Sequence, residues 1–281
     1  MKRYLYIYAI AVIYAIAVAA ILAAVGCSKS DDSWSGVGYG SITILSSVEV
    51  VTSTSDVGES GFEIPSSLIP SVDDMELRIV GTYQDSSDRS EQSYDETFEN
   101  TTEFNSSASI LWSGEYEATL SCGGDPTQES ETNACFASST TPFTIVKGEY
   151  NTQLSLSAKL INSIIRVKAD DWFMSYFSAA TFTITTQSGG KFVFDPFSAD
   201  NDDRIIFVEP GTALTLQGVA TRVSNGGTVT FNETYIGTTA ASQMTTFLLE
   251  GSDIGGAKVD VTINNTIIQS DEQSVDLNPI I

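Results

Sequence analysis

Cysteine and carboxylate side chains are the groups in this sequence best suited to chemistry, because its 281 residues include no histidine. The missing imidazole excludes Ser-His-Asp and Cys-His nucleophiles and every zinc site that needs a His ligand. Three cysteines are too few for a four-thiolate zinc site or an iron–sulfur cluster. Paired carboxylates could hydrolyse glycosides, but their abundance does not place two of them across a cleft. We therefore expect no enzymatic activity and no cofactor.

The densest acidic cluster runs from Asp195 to Asp203 and includes Asp200 and Asp202. Carboxylates on a loop can bind Ca²⁺, but this spacing lacks the central Gly and closing Glu of an EF-hand loop. Solvated loop charge is the favoured interpretation, and Asp200, Asp202 and Asp203 are weak calcium candidates. The net charge of −23 argues against a nucleic-acid partner, because few cations are present to replace phosphate counterions.

The first 27 residues have the order of a targeting segment. Lys2 and Arg3 precede an uncharged apolar stretch from Tyr4 to Gly26, and Cys27 follows. A permanent membrane helix is the alternative interpretation, because a stretch of this length could span a bilayer. In both cases the basic residues stay in the cytoplasm and the rest of the chain lies outside it.

Ala24, Val25, Gly26 and Cys27 resemble a bacterial lipobox. The resemblance implies that residues 1–26 are a signal peptide and that Cys27 carries several acyl chains, which anchor a protein stably. Residues 27–40 form a Gly/Ser-rich tether. Its start, from Ser28 to Asp32, resembles the signal that sends Bacteroidota-type lipoproteins to the cell surface, with a solvated linker as the alternative. We expect a lipid-anchored outer-membrane protein exposed at the surface.

Cys122 and Cys135 remain once Cys27 is assigned to lipid. Outside the cytoplasm such a pair is more often oxidised than free, so we predict a disulfide between them. The bridge would hold the loop that begins at Gly123. Two buried thiols and a metal half-site are the alternatives.

Apolar residues alternate with polar ones along most of the chain after residue 40, as in strands with one buried face. Examples are Ile42 and Ile44, Met75 to Ile79, Tyr116 to Leu120, Leu154 to Leu160, Ile165 to Ala169, Phe182 and Ile184, Leu214 and Leu216, Val229 and Phe231, and Val259 to Ile263. One segment has helical spacing: Asp170 can cap a short helix that ends near Phe177. Residues 84–107 are polar and are predicted to form a long loop.

The pattern predicts an all-β fold with two tandem antiparallel β-sandwich domains, transthyretin-like or Ig-like. We place the boundary near residues 159–162, where one strand run ends and another begins. The predicted domains are residues 41–160 and 161–281, each long enough for a core of its own.

Trp34, Trp112 and Trp172 are candidates for stacking against a sugar. For Trp172 and the aromatic residues beside it, core packing is the stronger interpretation, because the apolar stripe continues into the next strand. A glycan-binding role requires that these aromatic side chains be exposed.

Several motifs together resemble a Bacteroidota lipoprotein family, domain of unknown function 4493. They are the lipobox, the strand Gly114 to Leu120, the turn Pro142 to Glu149, the run Leu154 to Leu160, and Ile165 to Val167 with the helix that follows. That family is similar in organisation to the fimbrillins, which polymerise after an Arg-specific protease removes an N-terminal strand and a partner's segment takes its place. The resemblance implies a protein partner bound by β-strand addition.

This sequence departs from the fimbrillin pattern, because no Arg or Lys lies between Lys29 and Arg78. Arg78 itself falls inside a predicted strand, which puts polymerisation by that route in doubt. We therefore expect a non-enzymatic surface lipoprotein with a structural or adhesive role, either stand-alone or as the anchor or tip of a fimbria. A glycan-binding accessory lipoprotein of a surface uptake system is the alternative.

Overall fold

Strands dominate the computed structural model, which describes residues 37–49, 64–84, 90–201, 204–251, 257–264, 270–275 and 279–280. The strands are β1 (Tyr39–Glu49), β2 (Glu76–Gln84), β3 (Glu91–Phe98), β4 (Ile110–Trp112), β5 (Gly114–Cys122), β6 (Phe136–Ala137), β7 (Thr141–Ile145), β8 (Thr152–Leu160), β9 (Ser163–Ala169), β10 (Phe177–Thr186), β11 (Lys191–Phe194), β12 (Ile206–Val208), β13 (Ala213–Arg222), β14 (Thr228–Thr238), β15 (Met244–Gly251), β16 (Ala257–Asn264), β17 (Ser270–Val275) and β18 (Pro279–Ile280). Two α-helices accompany them: α1 (Thr101–Ser107) and α2 (Asp171–Tyr176). The predicted all-β class is confirmed.

The first half contains one eight-stranded sheet, in the order β3-β2-β5-β6-β8-β1-β4, with β7 also paired to β5. Its core is formed by the inward-facing residues of these strands, among them Ile42, Leu77, Ala118 and Leu156. The first strand, β1, runs parallel to β8, from Ile42 opposite Thr152 to Glu49 opposite Lys159. The prediction of purely antiparallel pairing is therefore wrong here, because alternating burial records which face is buried and not the direction of the neighbouring strand.

Two five-stranded sheets enclose the core of the second half. Their orders are β11-β10-β13-β14-β18 and β12-β9-β15-β16-β17. Phe182, Leu216 and Phe231 from one sheet pack with Val167 and Phe247 from the other. A second parallel pair occurs here, because β9 runs parallel to β15. The result is a two-layer arrangement of the kind that buries one face of each sheet.

Strand β9 contributes to both hydrophobic cores. Ile165 packs in the core of the second half, whereas its neighbour Ile164 packs in the core of the first, together with Phe207 and Met244. Side chains of successive strand residues point to opposite faces, so β9 lies between the two cores. The predicted boundary falls in the turn between β8 and β9, yet the described residues from Val37 onward form one compact unit.

Residues 84–107, predicted as a long loop, instead contain β3 and α1. β3 is an edge strand with mostly exposed, polar side chains, so it lacks the apolar alternation by which strands are recognised. The start of α1 is fixed by Asn100, whose side chain accepts a hydrogen bond from the Glu103 amide at 2.9 Å. The prediction of a loop was wrong because the helix buries little more than Thr101 and Phe104.

The predicted short helix near Asp170 is confirmed. Asp170 Oδ1 accepts a hydrogen bond from the Phe173 amide at 2.6 Å, and Phe173 is fully buried. Among the described residues, no helix has the length and apolar character needed to cross a membrane.

Candidate ligand-binding groove

A groove of about 400 Å³ opens at one end of the first half. It lies between the edge strand β3 and the short strand β4, and five of its eleven lining residues are aromatic. The lining residues are Tyr39, Tyr83, Ser93, Tyr94, Asp95, Glu96, Ala108, Ile110, Leu111, Trp112 and Tyr116. Its size is near the lower end of the range of about 300–1,000 Å³ for small-molecule pockets.

Strand register brings three of the tyrosines to this end. On β2, Leu77 and Ile79 face the core, and two further steps along the strand place Gly81 and then Tyr83 at the mouth of the core. Gly81 lies opposite Tyr94 on β3 and opposite Tyr116 on β5. A Cβ on Gly81 would approach Tyr116 Cδ1 to 2.6 Å and the Glu115 carbonyl oxygen to 2.4 Å. The absence of a side chain at this position therefore lets the Tyr116 ring lie against the sheet.

Trp112 stands at the centre of the aromatic wall. Its ring centroid is 3.9 Å from that of Tyr39, its direct partner across β4 and β1. The Tyr83 ring is nearly parallel to it, with an interplanar angle of 6° and a centroid separation of 6.4 Å. The Tyr116 hydroxyl donates to the Trp112 carbonyl oxygen at 2.9 Å and so fixes the start of the turn into β5. Trp112 is half-buried, and beside it Tyr39 is 46% and Ile110 62% exposed.

The charged side chains of β3 beside the groove are already paired, Asp95 on the outer face of the sheet and Glu96 on the inner face. Arg78 donates two hydrogen bonds to Asp95, from Nε to Oδ1 at 3.0 Å and from Nη2 to Oδ2 at 2.9 Å. These bonds hold the pKa of the Asp95 carboxyl below its ordinary value. The Tyr94 hydroxyl donates to Glu96 Oε2 at 3.1 Å. Burial raises the pKa of Tyr94 and of Tyr116 well above 10, so both hydroxyls remain donors at physiological pH.

The three tryptophans named from the sequence do not come together. Trp112 lies in the groove, and Trp34 is outside the described residues. Trp172 is on α2, 58% exposed, with its ring centroid 6.4 Å from that of Tyr176. The core-packing interpretation thus holds for Phe173 and Phe177, which are buried, whereas Trp172 is a surface residue.

Cys122 and Cys135 are free thiols in the structure, which lacks the predicted disulfide. Strand register explains the difference, because Cys122 lies opposite Phe136, so Cys135 is one step out of alignment with it. The Cys135 thiol instead donates to the Gly124 carbonyl oxygen at 3.2 Å. Burial raises the pKa of both thiols.

The acidic cluster shows no metal-binding geometry in the part that is described. Asp200 is exposed in a short 3₁₀ turn, and Asp202 and Asp203 lie outside the described residues. Within the described ranges, no group of three or more Cys, Asp or Glu side chains is arranged to hold a metal ion. The lipobox residues Ala24, Val25, Gly26 and Cys27 also lie outside the described residues.

Sequence reasoning identified Trp112 but missed Tyr39, Tyr83 and Tyr94 as members of the same site. Tyr83 borders the segment that was predicted as a loop and Tyr94 lies within it, and β1 and β4 are far apart in the chain. The only sequence signal was the alternation that continues from Ile79 through Gly81 to Tyr83.

The fold and the groove define an all-β protein with a partly aromatic groove that opens to solvent at the end of a sheet core. The family model described as Domain of unknown function (DUF4493) matches residues 63–279. The chain therefore belongs to this family, which confirms the resemblance seen in the sequence. None of the curated proteins matches the chain.

Among solved structures, the chain is similar to a fimbrial assembly protein from Parabacteroides distasonis, with a TM-score of 0.44 and 5% identity over 84% of this chain and 99% of that one. A proposed cell adhesion protein from Bacteroides ovatus gives a TM-score of 0.39 and 8% identity over 85% and 99%. A proposed polysaccharide-binding protein from Bacteroides thetaiotaomicron gives 0.37 and 8% over 83% and 98%.

Proposed function

We propose that the protein is a non-enzymatic lipoprotein of the bacterial cell surface with a structural or adhesive role. The observation that carries the proposal is the groove at Trp112, which opens beside the exposed Tyr39 ring and in which the inward-facing Glu96 carboxylate is already paired with Tyr94. A site of this kind can hold a ligand by contact, and it offers no group poised to act as a nucleophile or general base.

Lipid on Cys27 would anchor the protein in the outer membrane, with the sandwiches facing the medium. Palmitate labelling of producing cells tests the anchor: the full-length protein should incorporate label, and the Cys27→Ala variant should not. Protease treatment of intact cells tests the orientation. Digestion of the folded region supports surface exposure, whereas protection of that region until the outer membrane is permeabilised contradicts it.

A protein partner could join by β-strand addition at the outer edge of β14. That strand pairs with β13 along its length, but among the described residues its other side is paired only at Thr230 and Phe231, with β18. The remaining edge, from Asn232 to Thr238, offers backbone groups that a partner strand could use. If a partner uses this edge, Thr234→Pro should weaken binding of the partner strand. Thr82→Pro in the inner strand β2 is the control, because it shows how much binding is lost when the fold itself is disrupted. The role could be that of an anchor, a tip or a stand-alone surface protein.

The alternative function is a glycan-binding accessory lipoprotein of a surface uptake system. The observation that favours it is the grouping of the exposed Tyr39 with the half-buried Trp112 and Tyr83 around one groove. Binding of the purified full-length protein to a glycan array distinguishes this role from a purely structural one. Bound glycans that Trp112→Ala removes support the alternative, and an array without binding counts against it.

A further inference from the structure

We propose that the groove around Trp112 binds a neutral pyranose ring and discriminates against sugars that carry an acidic group. This inference rests on the glycan-binding alternative proposed above and names the ligand class of that site. It follows from three properties of the groove: the orientation of its rings, the polarity of its rim and the pairing of its charges.

The rings offer apolar faces of a size that suits one or two sugar units. Trp112 and Tyr83 are nearly parallel, with an angle of 6° between their planes and 6.4 Å between their centroids. Tyr39, which packs against Trp112, is 46% exposed. A pyranose ring has an apolar face of C–H groups and an edge of hydroxyls, and an aromatic face excludes water from the former. The volume of about 400 Å³ accommodates a short ligand and not a folded protein segment.

The rim offers partners for sugar hydroxyls. The Glu96 carboxylate can accept hydrogen bonds, and the Tyr94 hydroxyl can both donate and accept. The residues that line the groove include no Lys or Arg. An acidic sugar would therefore meet the Glu96 carboxylate without a lining cation, in a chain whose net charge is −23.

A cationic ligand such as a quaternary ammonium group could also use aromatic faces and carboxylates. In this groove, however, the Asp95 carboxylate projects from the opposite face of the sheet, where Arg78 binds it through two hydrogen bonds. Glu96 is engaged by the Tyr94 hydroxyl. The charges are thus arranged for a neutral polar ligand.

Saturation-transfer NMR on the purified full-length protein in detergent tests the proposal with three kinds of probe. Maltose, lactose and N-acetylglucosamine represent neutral sugars, glucuronic acid represents acidic ones, and choline represents cations. We expect a neutral sugar to bind and glucuronic acid to bind at least about tenfold more weakly. Stronger binding of choline or glucuronic acid, or no binding of any neutral sugar, would overturn the proposal.

Trp112→Ala should weaken binding of the neutral sugar by about tenfold, the factor that one lost aromatic contact commonly gives. Trp172→Ala is the matched control, because Trp172 is exposed on α2 outside the groove, and it should leave binding unchanged. Tyr94→Phe removes one hydroxyl while keeping the ring, so it tests the rim if Trp112→Ala fails to fold. Equal losses in the Trp112 and Trp172 variants would count against the site.

Failure of this inference is distinguishable from failure of the proposed function. A protein that proteases reach on intact cells, and that takes up palmitate at Cys27, but binds no sugar would remain a surface lipoprotein with a different groove ligand. If the protein binds sugar but is protected from protease in intact cells, the proposed ligand class stands and the surface location is wrong.

Discussion

Asn105 pairs with the main chain of Ile44 as a neighbouring strand would. The Ile44 amide donates to Asn105 Oδ1 at 2.9 Å, and Asn105 Nδ2 donates to the Ile44 carbonyl oxygen at 2.8 Å. One side-chain amide on α1 thus satisfies both backbone groups of Ile44 on the side of β1 that does not face β8. A helix so placed covers a strand edge that would otherwise be open to unwanted pairing.

Replacing Asn105 by Ala should destabilise the protein by about 1–2 kcal/mol, because two partly buried backbone groups lose their partner. Urea unfolding of the full-length protein measures the change in the free energy of unfolding. Thr102→Ala is the control: Thr102 is an exposed residue of the same helix and should have little effect. A loss in Asn105→Ala no larger than in this control would contradict the role assigned to the amide.

Asn162 links the loop between Cys122 and Phe136 to the turn that joins β8 and β9. Its side chain is fully buried, accepts from the Cys135 amide at 2.6 Å and donates to the Pro126 carbonyl oxygen at 3.3 Å. Asn162→Ala should therefore cost about 1–3 kcal/mol of stability, since a buried amide is left without an acceptor. Urea unfolding of Asn162→Ala measures the effect, with Asn232→Ala, at an exposed position on β14, as the control. Equal stability of the two variants would show that the bonds contribute little.

The two free thiols should differ in reactivity. Cys135 is 1% exposed and Cys122 is only partly buried, and burial raises the pKa of each thiol, which lowers the reactive thiolate fraction. In the folded protein, iodoacetamide should therefore label Cys122 faster than Cys135, and both should label rapidly in urea without reductant. Mass spectrometry of the labelled peptides gives the two rates. A mass lower by two hydrogens and no labelling in urea would instead show the disulfide expected from the sequence.

Alkaline pH should weaken the fold through Tyr94 and Tyr116. Burial raises the pKa of both phenols in the folded state, so the stability that they contribute is fully present below the unfolded pKa of about 10. It is lost as pH rises from there towards the folded pKa, because the unfolded chain releases its protons first. The slope is at most about 1.4 kcal/mol per pH unit for each phenol.

Unfolding free energies measured from pH 9 to 11.5 (about the range of tyrosine ionisation) check this dependence. Tyr94→Phe should reduce the slope, since a ring without a hydroxyl cannot ionise. Tyr150→Phe, at an exposed tyrosine, serves as the matched control. A slope that is the same in the wild type and in Tyr94→Phe would mean that Tyr94 ionises alike in the folded and unfolded chains.

Alternating burial made the inner strands predictable from the sequence. Ile42 and Ile44 on β1, and Leu77 and Ile79 on β2, lie in the core as their spacing indicated. The start of α2 was equally predictable, because Asp170 precedes Phe173 and Phe177, two apolar residues at helical spacing. Strands with one buried face and helices with a polar cap carry their structure in local patterns.

The groove depends on relations that no local pattern contains. Trp112 meets Tyr39 because β4 pairs with β1, and Tyr83 joins them because it lies opposite Gly114, two residues after Trp112. The edge strand β3 was missed for a related reason: its exposed side chains provide no burial signal. The same holds for the register that separates Cys122 from Cys135, since sequence spacing does not fix which residues of two strands lie opposite.

The parallel pairs bear on the order in which the chain can fold. In the first half β1 pairs with β8, and in the second half β9 pairs with β15. The first strand of each half thus pairs with a strand that comes much later in the sequence. Contacts so distant in sequence close slowly, because the intervening chain must first be brought together. During synthesis, β1 therefore gains its parallel partner only after the chain has been made as far as Leu160, so the first strand waits for nearly all of the first half.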